Sequence, residues 1–270
     1  MSAIPERAAH PTPYPDVNAL VCELLARVSD VLGDQFVGLY LHGSLAHGGF
    51  GEDSDIDFCV ATVGELPDAT RQDLAAMHAR IAASGRPWAT KLEGGYVPKQ
   101  SLRRADPANA PYPCFDAENG LHLARDNGNV VLTLHVLRER GVVVAGPDPR
   151  TFVDPISPDG LRDAARAIMR DWWMPILEDP GRMRHPDYAR YAVITMCRIL
   201  YTLEHGAVVP KSVAARWARD AVDQRWRPLV KWWSSGRCGT EPEMRREALE
   251  FVRHTLERSE RGGKARANGT

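Results

Sequence analysis

Phe36-Val37-Gly38-Leu39-Tyr40-Leu41-His42-Gly43-Ser44, followed after ten residues by Asp55-Ile56-Asp57-Phe58-Cys59-Val60, is the stretch whose reading decides the fold. Phe36 to Leu41 is a short run of aromatic and branched residues, the composition of a buried strand. It runs into a glycine loop, His42 to Gly49, where a chain can turn sharply. Asp55 to Val60 alternates polar and apolar side chains, as a strand with one wet face does. Alternate residues share a face, so Asp55 and Asp57 are expected to point the same way.

Working outward, Val17 to Leu32 spaces Leu20, Val21, Leu24, Leu25, Val28 and Leu32 as one helical stripe, with Gly33 as its stop. Asp68 to Ser84 reads as a helix ended by Gly85, and Trp88 to Val97 as a strand with Lys91, Glu93 and Gly95 on one side. Pro98 to Asn127 holds four prolines and little periodicity, which predicts an irregular connection serving as a lid or substrate wall. Val130 to Arg140 predicts a helix, Gly141 to Ala145 a strand, and Gly146 to Pro149 a turn out of the first domain.

From there the pattern changes. Leu161, Ala164, Ala165, Ile168, Met169, Trp172 and Ile176 form one helical stripe; Ala189, Ala192, Val193, Met196, Leu200 and Leu203 form another. Further helices are expected at 213–223 and 241–257, so the second half predicts a helical bundle. The fold class expected is α+β: a mixed sheet with helices, then an all-α bundle. The expected boundaries are a flexible leader at 1–16, a first domain at 17–150, a helical domain at 151–257 and a disordered tail at 258–270.

Composition excludes several function classes. The 270 residues carry 34 Lys plus Arg against 35 Asp plus Glu, so the broad positive field of a dedicated nucleic-acid binder is lacking. Cys22, Cys59, Cys114, Cys197 and Cys238 lie far apart with no C-x-x-C pair, which suggests neither a zinc site nor a disulfide framework. The proline-rich leader lacks the apolar stretch of a secretory signal, and no run of about eighteen apolar residues predicts a membrane span. A cytoplasmic protein, monomer or homodimer, is expected.

The chemistry is concentrated in Gly43-Ser44, Asp55-x-Asp57 and a third carboxylate at Glu93. Two aspartates on one strand face suit a hard cation such as Mg2+, which takes oxygen ligands and is commonly shared between one or two carboxylates and substrate phosphates. Gly43 lets a phosphate approach the backbone closely and the Ser44 hydroxyl donates to its oxygens; Ser54 is grouped with them. Glu93 is expected as a ligand of the same cation and as the base that takes the proton of an acceptor hydroxyl, with Glu118 and Asp116 as competitors for that role. His42 and His47 lack metal-ligand spacing and are expected only to hydrogen-bond.

At these residues the chain resembles the nucleotidyltransferase superfamily, whose signature is a Gly-Ser, a spacer of this length, Asp-x-Asp and a later acid. Cys197 to Tyr201 and His205 to Ala218 resemble the helical domain of the spectinomycin and streptomycin adenylyltransferases among the aminoglycoside adenylyltransferases. The resemblance implies a polymerase-beta-like first domain, a site in the cleft between two domains, ATP as co-substrate, and Lys211 reaching the triphosphate beside Ser44. Lys211 also follows Pro210 at an expected helix start, a setting that favours anions. The chain departs from the family at Gly94-Gly95, directly after Glu93, and in the proline-rich stretch beyond.

Together these readings predict Mg2+-dependent transfer of a nucleoside monophosphate to a hydroxyl of an aminoglycoside-like or aminocyclitol-like molecule, with pyrophosphate leaving. Trp172, Trp173, Trp232 and Trp233 are expected to pack in the core, save that Trp173 is assigned a substrate contact, with Asp187 chosen among Asp171, Glu178, Asp179 and Asp187 for a cationic acceptor. Competing readings are transfer to a protein or RNA acceptor, and a non-catalytic nucleotide-binding or antitoxin-like protein.

Overall fold

In the computed structural model, residues 11–52, 54–106, 108–125, 128–234 and 242–267 are described. The expected leader lies largely, and the last three residues of the expected tail wholly, outside them. The chain divides into two compact units, one ending at Pro155 and the other starting at Ile156.

The first unit runs α1 (Pro15–Leu32), β1 (Phe36–Leu41), α2 (Gly43–His47), β2 (Ile56–Thr62), α3 (Asp68–Ala82), β3 (Leu92–Pro98), β4 (Tyr112–Asp116), β5 (Gly120–Ala124), α4 (Gly128–Arg140) and β6 (Val142–Ala145). Its six strands form one mixed sheet in the order β5-β4-β3-β2-β1-β6. β2 and β3 are parallel, joined through α3 as a crossover requires, and every other neighbouring pair is antiparallel. Alternation sorts β2: Ile56, Phe58 and Val60 join the core with the apolar stripe of α1 and with Leu74, Met77 and Ile81 of α3. The intervening Asp57 therefore lies on the opposite face.

Three expectations for this unit are corrected. The glycine loop after β1 is wound into the short helix α2, with Gly48 and Gly49 at positive φ beyond it. The stretch 98–127, expected to be irregular, contains the β4–β5 hairpin, which extends the sheet from β3. Its turn is held by the Asp116 carboxylate, which accepts from the backbone N–H of Glu118 and Asn119. Pairing with an existing strand, rather than local propensity, organises this segment. The third strand also starts later than its pattern suggested, at Leu92, because Trp88 sits at φ 68 in a turn.

On the core face, His78 of α3 is buried, stacks on Phe115 at 3.9 Å and places Nε2 2.7 Å from the Tyr96 hydroxyl. Burial lowers its imidazole pKa to about 3.

The second unit is helical: α5 (Pro158–Ile168), a wide turn at Met169–Trp173, α6 (Met174–Glu178), α7 (Pro186–His205), α8 (Lys211–Ala221), α9 (Arg227–Ser234) and α10 (Pro242–Ala267). α7 is the central element, packed by α5, α8, α9 and α10. Its Ala189, Ala192, Val193, Met196 and Leu200 are all buried, as their spacing predicted. The backbone of α10 stays helical through Ala267, beyond the expected end at 257. No helix among the described residues is long and apolar enough to cross a membrane.

Candidate active site

Parallel pairing of β2 with β3 sets Asp57 directly opposite Glu93. Neighbouring strands lie about 4.8 Å apart and side chains alternate, so the two carboxylates rise side by side from one sheet face. The residue after Glu93 must be small, because a Cβ on Gly94 would run into the ring and carbonyl of Phe58 on β2. The glycine expected to depart from the family pattern at this position therefore has a packing cause in this chain.

The strand-to-helix turn after β1 crosses over the same place. His42 N–H donates to the Asp57 carbonyl at 3.0 Å, which ties the turn to β2. Gly43 follows at φ 57, and a Cβ there would overlap the Asp57 carboxylate outright. Glycine is required twice over, by its backbone conformation and by the approach of the carboxylate. The imidazole of His42 is held below its ordinary pKa by burial, which outweighs the opposite pull of Asp57. Ser44 Oγ is buried and has no hydrogen-bond partner among the described residues. Leaving a hydroxyl unsatisfied in this way is costly, and a phosphate oxygen would satisfy it.

Asp55 lies just before β2 and is exposed; its carboxylate is 3.8 Å from the ammonium of Lys91. Ser54, expected beside the phosphates, braces the loop: its Oγ accepts from Gly51 N–H at 3.1 Å. Among the described residues no three His, Cys, Asp or Glu side chains stand close enough to hold a metal by themselves. The donor set still suits Mg2+, which takes one or two carboxylates and completes its shell with water and phosphate oxygens. Asp57 with Glu93, met by the turn that carries the orphaned Ser44 hydroxyl, offers that kind of incomplete, oxygen-only site. In it Asp55 and Asp57 would contribute carboxylate oxygens.

In the helical unit, Lys211 is exposed at the first position of α8, directly after Pro210. Asp187 is exposed in the first turn of α7, 3.8 Å from His185 Nδ1. Trp173, expected to touch substrate, is fully buried, packed against Tyr188 and Tyr191 at ring separations of 6.1 and 5.9 Å. The partner that reaches solvent is Trp172, 40% exposed, donating its indole N–H to the Tyr188 hydroxyl and stacked under Arg182. The two tryptophans are exchanged because the Met174 N–H bonds to Met169 O, a turn one residue wider than an α-helix, which advances the buried stripe by one position.

Residues 21–110 match the nucleotidyltransferase domain, and residues 151–259 match the aminoglycoside adenylyltransferase C-terminal domain. The chain thus joins a nucleotidyltransferase domain to an aminoglycoside adenylyltransferase C-terminal domain. An aminoglycoside (3'') (9) adenylyltransferase of Shigella flexneri is 24% identical over 233 residues, covering 78% of this chain and 84% of the relative. A spectinomycin 9-adenylyltransferase of Staphylococcus aureus is 27% identical over 206 residues, 73% of this chain and 75% of its own length. The fold is that of a spectinomycin adenyltransferase from Enterococcus faecialis crystallised with ATP and spectinomycin: TM-score 0.71, 16% identity, 88% of this chain and 98% of that one.

This chain is a nucleotidyltransferase. Within its first unit, reading the sequence left out two residues. His42, assigned no function, fastens the turn to Asp57. Lys91 had been placed on the Glu93 side of its strand, and its spacing of two from Glu93 was the signal that it would face the acids.

Proposed function

We propose that the protein transfers AMP from ATP to a hydroxyl of an aminoglycoside-like or aminocyclitol-like small molecule in a Mg2+-dependent reaction. The observation that carries this reading is the register pairing of Asp57 with Glu93, with Gly43 pressed against the Asp57 carboxylate and the buried, unpartnered hydroxyl of Ser44 next in the chain. Two adjacent carboxylates repel each other unless a cation is shared between them. An orphaned hydroxyl in the turn that meets Asp57 calls for an anion. Metal-bound triphosphate supplies both.

In the reaction, Glu93 accepts the proton of the acceptor hydroxyl as its oxygen bonds to the α-phosphorus. The bond from α-phosphorus to the bridging oxygen breaks, and that electron pair leaves with pyrophosphate. A divalent cation held at Asp55 and Asp57 would neutralise phosphate charge and draw electrons from the reacting phosphorus. Gly43 lets the phosphates approach the backbone, and Ser44 Oγ donates to a phosphate oxygen. Lys211 is given a share of the triphosphate charge, and Ser54 keeps the loop before the acidic pair in shape. The exposed Trp172 ring and Asp187 are the residues of the helical unit given to the acceptor.

Incubating the protein with ATP and a panel of aminocyclitols and aminoglycosides, and following pyrophosphate release with and without Mg2+, tests the reading. A Mg2+-dependent product one adenylate heavier than the acceptor is expected. Adenylate found only on protein or RNA, or ATP bound without any turnover, would overturn it.

A further inference from the structure

The Lys91 ammonium is the one cation that the described salt bridges bring to the acidic array, 3.8 Å from Asp55 Oδ1. Backbone geometry puts it there. Ile56 N–H donates to the Lys91 carbonyl at 2.6 Å, and the register Ile56↔Leu92, Asp57↔Glu93 carries Lys91 alongside Asp55. One ammonium and three carboxylates are thereby arranged at alternate positions at, and just before, the amino ends of two parallel strands. The pair is held by position rather than by burial: 43% of the Lys91 side chain and 49% of the Asp55 side chain are exposed. Water screens such a pair, so it is weak and exchangeable.

We infer that Lys91 is a positioning residue: it holds Asp55 while no metal nucleotide is bound, and passes to the nucleotide phosphates when a divalent cation takes its place at Asp55. The inference rests on the nucleotidyl-transfer reading. An ammonium and a dication compete for the same carboxylate, so Lys91 opposes binding of the cation alone. A triphosphate offers the ammonium another anion within the swing of its flexible four-carbon stem, and the opposition is relieved. Cation and nucleotide then each strengthen the other's binding by the same factor, as linkage requires. The protein thus discriminates against free metal and admits metal already paired with nucleotide.

The test uses the full-length protein and Mn2+, with free ion measured by electron paramagnetic resonance, without and with ATP. Lys91→Gln is expected to bind Mn2+ alone about two- to five-fold more tightly than the parent, the range of an exposed ion pair. The gain in Mn2+ affinity on adding ATP shrinks by the same factor. Lys91→Arg, which keeps the charge, restores parental behaviour. Equal Mn2+ affinity in Lys91→Gln and the parent overturns the inference, as does a Lys91→Arg protein that behaves like Lys91→Gln. Should Asp57→Asn lose Mn2+ binding in the presence of ATP while Lys91→Gln matches the parent, the nucleotidyl-transfer reading stands and only the part given to Lys91 falls. A parent that binds no Mn2+ with or without ATP overturns both.

Discussion

The amino ends of β2 and β3 and the Met169–Trp173 segment each present neighbouring residues of one chemical kind, carboxylates in the first and tryptophans in the second. In the strands, the phase read from alternation survives folding. Asp57 and Glu93 face the same side, and the parallel register sets them opposite one another. In the helix, the phase slips: one wide turn buries Trp173 and turns Trp172 outward. The difference is physical. A strand's period of two is fixed by the pleat and by hydrogen bonds to a neighbour, so a slip of one residue would drive Asp57 into the core. A helix can absorb one extra residue per turn at modest cost, and local packing chooses where.

The largest expected effect lies on the strand side. Glu93→Gln removes the proton acceptor while keeping shape, and kcat should fall about 10²- to 10⁴-fold with ATP binding retained. If turnover matched the parent, the pairing of Asp57 with Glu93 would have no catalytic meaning.

The helix side gives the next effect, and it should separate the two tryptophans. Trp173→Ala leaves a cavity among Tyr188 and Tyr191 and should cost about 3–5 kcal/mol in denaturant unfolding. Trp172→Ala should change stability by no more than about 0.5 kcal/mol, as exposed positions do. The opposite ranking would restore the phase that an uninterrupted α-helix predicts.

The smallest effect, read over a single pH unit, tests α3, a helix that keeps its regular phase and buries His78 against β3. The unfolded chain protonates this imidazole below about pH 6.5, whereas the folded chain does so only near 3. Its contribution to stability is therefore complete above about pH 6.5 and is lost as pH falls from there towards 3. Within that window stability should decline by about 1.4 kcal/mol per pH unit from this group, and His78→Gln should flatten the decline in urea titrations.

The sequence by itself determined the elements with strong periodicity and the order in which the candidate site residues follow one another. The apolar stripe of α1, the run Phe36 to Leu41, the alternation from Asp55 and the stripe of α7 each depend on neighbours a few positions away, so their spacing alone reveals them. Gly43, Ser44, Asp55, Asp57 and Glu93 were legible because turn, hydroxyl and carboxylates follow in order on adjoining elements. Tertiary structure alone decided the rest. The β4–β5 hairpin exists because β3 offers an edge, and no local signal in a proline-rich stretch encodes that partner. Asp55 meets Lys91, Asp57 meets Glu93, and Gly43 lies against a carboxylate because strand register, a long-range property, brings them together. Which tryptophan faced water was likewise set by the hydrogen bond of one wide turn, a choice among nearly equal helical phases that only packing can make.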